Sequence, residues 1–288
     1  MRIRIVDAFT TRPFQGNPAG VLLLDAATGF PPDPWLQRVA AEVNLSETAF
    51  AHPLPPGGPT DWALRWFTPT AEVDMCGHAT LATAHVLAGA GLATGPVRFA
   101  ARCGILTTEA APDGSVTMDF PTSTLTPHDL PPSLAHALTG SSGNANSSSD
   151  TPAPQIRSVH DTSPHIGDLL VELADERAVR ELRPDLAALA AYARRGIIVT
   201  AAAEDPARGY DFVSRGFFPA VGVPEDPVTG SAHTALAPFW AARLGRDELT
   251  GLQGAARTGL VKVRLAGDRT FLTGHAVTVI DGELLTAP

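Results

Sequence analysis

The amino-acid sequence predicts an α+β fold built of two similar α/β modules, and three observations point there. "RWFTP" at Arg65–Pro69 recurs as "RGFFP" at Arg215–Pro219, 150 residues on. "CGHATLA" from Cys76 matches "TGSAHTA" from Thr229, 153 residues on. Upstream of each copy a strand-like, a helix-like and a second strand-like run follow in the same order: "VLLLDAATGFPPDPWLQRVAAEVNLSETAFAHP" in one half, "DLLVELADERAVRELRPDLAALAAYARRGIIVTAAA" in the other. Self-similarity of this kind is the mark of a repeated supersecondary unit.

Taken in order, the chain opens on "RIRIVDAF", which alternates like a strand. It lacks the apolar core and small-residue cleavage site of a signal peptide, so a cytoplasmic protein is expected. After Gly77, "HATLATAHVLAGAG" predicts a buried, alanine-rich helix that ends at the glycines 89 and 91. Residues 139–155, "TGSSGNANSSSDTPAPQ", hold almost no large apolar side chain and are expected to form a mobile loop or linker near the boundary between modules 1–128 and 129–288. After Gly230, "SAHTALAPFWAARLG" predicts a second buried helix ending at Gly245, with Pro238 kinking or re-bonding its middle. "VKVRL" near the end alternates like a strand, and the last strand is expected to cross back to the first module.

Composition excludes several functions. A net charge of -9 with no basic run would repel a phosphate backbone, so no nucleic-acid partner is expected. No apolar stretch approaches the ~20 residues of a membrane span, so no membrane partner is expected either. Lys262 is the only lysine, which leaves Schiff-base and pyridoxal chemistry one poorly placed candidate. Phosphate-loop, G-x-G-x-x-G and G-x-S-x-G motifs are absent, and two cysteines cannot make a disulfide framework. Cys76, His78, His85 and His233 match no common zinc spacing, so neither a metal nor another cofactor is expected.

What remains is chemistry at the two glycine turns. A helix start offers free N–H groups and partial positive charge, and two of them facing one cleft would grip a small acid; the alternative is a pair of ordinary caps, with Ser231 as a cap residue. Glu47, in "NLSETAF", has no carboxylate counterpart in "RRGIIVT" of the second half, while Glu225 and Asp226 stand directly before the second turn. Cys76 and His78 flank the first, where they could serve as base, metal ligand or helix start.

These pieces together resemble the PhzF family, phenazine-biosynthesis-like isomerases with the diaminopimelate epimerase fold. The resemblance rests on "DAFTTRPFQGNPAGVLL", "NLSETAF", "FTPTAEVDMCGHATLATA", "FFPAVGVPEDPVTGSAH", "LQG" and "GHAVTV", and covers nearly the whole chain. It implies two pseudo-symmetric modules, each a barrel-like mixed sheet around a central helix, with the active site between them, and a homodimer. It implies catalytic roles for Glu47, His78 and Asp226, with Ser231, Gly77, Gly230, Thr229, Asn17 and Cys76 lining the substrate site. In the related epimerases two cysteines act as opposed bases; here Cys76 has Thr229 as its counterpart, so half of that pair is missing. The function implied is a cofactor-independent isomerase moving a proton on a small carboxylic acid through a glutamate. The alternatives are an epimerase or racemase with Glu47 as one base, and a non-catalytic binding or scaffold protein with the same fold.

Overall fold

In the computed structural model the described residues are 1–139, 154–164, 166–192 and 195–288. Most of the expected 139–155 loop, residues 140–153, lies outside them. All the strands of the described residues join one hydrogen-bonded sheet. Arg2–Ala8 pairs antiparallel with Asn17–Leu23, which runs parallel to Glu47–Pro53; this strand pairs antiparallel with Trp62–Phe67. Trp62–Phe67 runs parallel to Val97–Ala101, and antiparallel pairing continues through Gly104–Ala110 to Val116–Pro121. The second half repeats every step in the same sense, through Ile156–Asp161, Leu169–Leu173, Ile197–Ala202, Phe212–Phe218, Glu248–Gly254, Thr258–Ala266 and Arg269–Gly274.

Three pairings stitch the halves together. Val116–Pro121 lies antiparallel to Arg269–Gly274. The strand that follows each of these then crosses over: Ala276–Glu283 pairs with Arg2–Ala8, and Thr126–Pro127 pairs with Ile156–Asp161.

Inside each half sits one helix. Gly77–Gly89 is buried over nearly its whole circumference and has no polar face, as a helix enclosed by a sheet must be. Its alanines and glycines let the strands approach, and the buried Thr80 and Thr83 hydroxyls donate to the carbonyls of Cys76 and Ala79 at 2.5 and 2.7 Å. Gly230–Leu244 does the same in the second half and ends on Gly245 in the left-handed conformation at φ 69°. Pro238 re-bonds this helix without ending it. Having no N–H, Pro238 frees the Thr234 carbonyl four residues back, and that oxygen accepts the Ser123 N–H of the first half at 3.1 Å.

One apolar core spans both halves, from Val6 and Leu81 to Leu236 and Leu272. Outer helices cover the other faces: Asp33–Val43 packs with Leu22, Phe50 and Phe67, and the segments around Leu134, Val179 and Leu189 close the second half. No helix of the described residues is long and apolar enough to cross a membrane.

Candidate active site

The strand registers equate the halves residue by residue. Thr48 faces Phe67 and Ile197 faces Phe217, so Arg65 corresponds to Arg215 and Glu47 to Gly196. The recurring arginine then has an evident task. Arg65 grips Glu72 through two bonds of 2.7 and 2.8 Å, and Arg215 grips Glu225 through two of 2.8 Å, fixing the loop ahead of each central helix.

Those loops bring the two helix starts into contact. A Cβ on Gly77 would lie 3.2 Å from the Gly230 Cα, and one on Gly230 would lie 3.2 Å from the Gly77 Cα, so only glycine permits this approach. Neither start is capped by the side chain of its N-cap residue, Cys76 or Thr229. Ser231 is not a cap either; its hydroxyl accepts from Arg195 at 3.0 Å. Two positive helix ends with spare N–H donors therefore converge on one point.

Glu47 begins the strand Glu47–Pro53, and its carboxylate lies 3.4 Å from His78 Nε2. Burial first, and the charge of Asp226 second, push its pKa up to about 8, against a hydrogen bond from Cys76 and the more distant charge of Arg195. His78 is buried and burial drives its pKa down to about 3, so it is neutral and no ion pair forms with Glu47. Its Nδ1 lies 3.2 Å from the Asn17 amide nitrogen and 3.5 Å from the Cys76 sulfur. Its Nε2 is buried and lies 3.4 Å from the Glu47 carboxylate without making a hydrogen bond to it.

Asp226 lies across from this pair. Its oxygens accept from Asn17 Nδ2 at 2.7 Å and from the Thr229 hydroxyl at 2.5 Å, yet burial still raises its pKa to about 6. Asn17 Nδ2 donates also to the Val228 carbonyl at 2.9 Å, which fixes the amide orientation and leaves Oδ1 unpartnered. Gln253 completes the second turn by accepting from the Thr229 N–H and donating to the Thr229 hydroxyl, each at 3.0 Å. The Thr229 side chain is therefore spent on Asp226 and Gln253. Cys76 is fully buried and remains a thiol, because burial and the neighbouring Glu47 raise its pKa well above the ordinary value.

The pseudo-symmetry shows what is unique to each side. Val73 corresponds to Asp226, His78 to Ser231 and Cys76 to Thr229. Gly196 stands where Glu47 would recur, and a side chain there would collide with the Phe218 ring. Arg195 lies over that ring, 5.0 Å from its centroid, and bonds Asp168 at 2.7 Å.

All nine sequence-predicted residues thus gather at the contact between the helix starts. Arg195, Asp168, Gln253 and Phe218 belong to the same place and were not among them. "LQG" marks Gln253 in the sequence, and the comparison of "NLSETAF" with "RRGIIVT" sets Arg195 beside the missing acid. The other metal candidates point away: His85 bonds Thr278 and His233 bonds the Thr229 carbonyl. The donor atoms of Glu47, Cys76 and His78 do lie within 4.8 Å of one another. A metal-bound histidine usually donates its second ring nitrogen to a carboxylate, carbonyl or water, whereas His78 Nδ1 lies beside the Asn17 amide nitrogen and the Cys76 sulfur. Lys262 is exposed on the strand Thr258–Ala266, outside this cluster.

Residues 6–282 match the family described as phenazine biosynthesis-like protein, PhzC–PhzF. The chain belongs to this family. A relative from Halalkalibacterium halodurans, named an uncharacterised isomerase, is 42% identical over 289 residues, 98% of each chain. The crystal structure of a PhzF-family phenazine biosynthesis protein from Enterococcus faecalis is similar at a TM-score of 0.85 and 34% identity, over 99% of both chains. A hydroxyproline epimerase from Agrobacterium vitis, solved with bound trans-4-hydroxy-L-proline, shares the fold at a TM-score of 0.56 and 14% identity, over 98% of this chain and 91% of the other. The PhzF-family chain thus has the two-module, epimerase-like fold, with its polar cluster between the modules.

Proposed function

We propose that this PhzF-family protein is an isomerase that moves a proton on a small carboxylic acid without a cofactor, with Glu47 as the single acid/base. The observation that carries this reading is the Glu47 carboxyl itself: part-buried, held near pKa 8, 3.4 Å from His78 Nε2, and beside two uncapped helix starts. A base poised near the working pH is what proton transfer from carbon requires. Ionised Glu47 takes a proton from carbon, and the electron pair it leaves shifts into the adjoining unsaturation. His78 Nε2–H and the helix N–H groups stabilise the displaced charge. Glu47, now protonated and able to exchange that proton with solvent, returns a proton to another carbon on that face. Asp226, held by Asn17 and Thr229, orients the polar groups of the substrate.

A two-base racemase is supported less well. Opposite Cys76 stands a threonine whose hydroxyl is committed, and opposite Glu47 stands Gly196 under a phenyl ring. The test is solvent-deuterium incorporation into a panel of small unsaturated acids. The parent protein incorporates label, Glu47→Gln loses about 10²- to 10⁴-fold of that rate, and Cys76→Ala stays within about tenfold. Exchange at the parent rate in the Gln variant would remove Glu47 from the mechanism.

A further inference from the structure

The two walls of the site differ in charge as well as in acid. Asp168 is fully buried, and its backbone is locked by Thr162, whose hydroxyl donates to the Asp168 carbonyl and accepts its N–H, each at 2.8 Å. Its carboxylate binds Arg195 Nη1 at 2.7 Å, while Arg195 Nη2 reaches the Ser231 hydroxyl at 3.0 Å. The guanidinium plane is supported by Phe218. A guanidinium carries five N–H donors, so most remain unengaged, and the side chain is 35% exposed while its anchor is 0% exposed. By strand register the counterparts of Asp168, Arg195 and Phe218 in the first half are Ala19, Ser46 and Thr68, none of them charged.

This is a fixed cation at the mouth of one helix start only. Arg195 also acts on the charges of Glu47 and Asp226. On the first half, His78 Nε2 is buried and lies 3.4 Å from Glu47.

We infer that Arg195, positioned by Asp168 and acting with Ser231 and the second helix start, receives the carboxylate of the substrate and so sets its orientation in the site. The acid group lies against the second half and the reacting carbon faces Glu47 and His78 in the first. Arg195 is the cation that acts on both Glu47 and Asp226. The ligand class is accordingly a small monocarboxylate, and a second acid group would meet Asp226 and Glu47 unpaired. This rests on the proton-transfer reading for the place of the reacting carbon, whereas the recognition of the carboxylate stands on its own.

Truncating Arg195 alone would leave the Asp168 carboxylate buried without its cation, which is strongly destabilising, so the informative variant is the double substitution Asp168→Asn with Arg195→Gln. The probes are acetate, benzoate and sorbate, each beside its own carboxamide, with affinity measured by calorimetry. The parent protein binds at least one acid tenfold or more tightly than its amide; in the double variant that preference falls about 10- to 100-fold, to near parity, with the thermal transition retained. The proposal is overturned if the preference survives in the double variant, or if the parent prefers none of the acids to its amide. Glu47→Gln keeps the preference in the same assay. Deuterium exchange retained at the parent rate in Glu47→Gln, with this preference intact, would therefore indict the Glu47 mechanism and leave the Arg195 assignment standing.

Discussion

Glu47 illustrates how one carboxyl acquires a chemical task from its surroundings. An exposed glutamate is ionised at neutral pH and too weak a base to matter, but burial and the nearby Asp226 charge lift Glu47 to about 8. Two consequences of opposite sign follow. Activity needs the ionised form, so kcat/KM for proton exchange is expected to rise with pH and level off above about 8. Stability moves the other way: the folded chain holds a proton that the unfolded chain has released, so stability contributed by protonated Glu47 is complete below the ordinary value of 4.5 and is lost as pH climbs through about 8. Glu47→Gln is expected to raise the melting temperature above pH 8 by several degrees and to change it little near pH 4. Melting curves across pH check this, and equal shifts at both ends would show that Glu47 does not carry the raised pKa. The acids on either side of the cleft were readable in the sequence because "NLSETAF" and "VPEDPVTGSAH" resemble motifs of the PhzF family. Arg195 was not, since an arginine in "RRGIIVT" looks like any surface charge until Asp168, 27 residues earlier, is folded against it.

At the scale of elements, the two central helices act through their first residues. Their alanine-rich sequence and terminal glycines announce them, and Pro238 was readable as a disturbance, though its solution was not. The partner of the freed Thr234 carbonyl, Ser123, is 111 residues away, and only the tertiary fold brings it there. The contact between Gly77 and Gly230 has the same character: each glycine is a local signal, and their meeting is not. A methyl on Gly230 would sit 3.2 Å from the Gly77 Cα, closer than ordinary van der Waals contact, so the helix starts must part by a few tenths of an ångström. Gly230→Ala is thus expected to lower kcat/KM by about ten- to hundredfold through misplacement of the reacting groups, while costing the fold little, because Ala favours a helix over Gly. Parallel kinetics and thermal melting test the split. A variant that loses stability and keeps its rate would show that the close approach serves packing alone.

For the whole molecule, the repeat in the sequence describes two modules, but the sheet binds them into one structure. Strand order was beyond sequence reading because it depends on registers between segments more than 100 residues apart, as between Val116–Pro121 and Arg269–Gly274. A fragment of residues 1–128 would lose the partners of both its edge strands, Arg2–Ala8 and Val116–Pro121, exposing unpaired backbone on each. It would also open the common core at Val228, Leu236 and Leu272, and leave Asn17 without Asp226 and Val228. Neither 1–128 nor 129–288 is therefore expected to fold alone, and the intact chain is expected to unfold in a single calorimetric transition. The active residues make that coupling functional, since Glu47 and His78 come from one half and Asp226, Ser231 and Arg195 from the other, so any separation of the halves dismantles the site. Cooperative melting of the 1–128 fragment on its own, or two resolved transitions in the full chain, would show instead that the halves are independent and that the cleft between them can open without unfolding either.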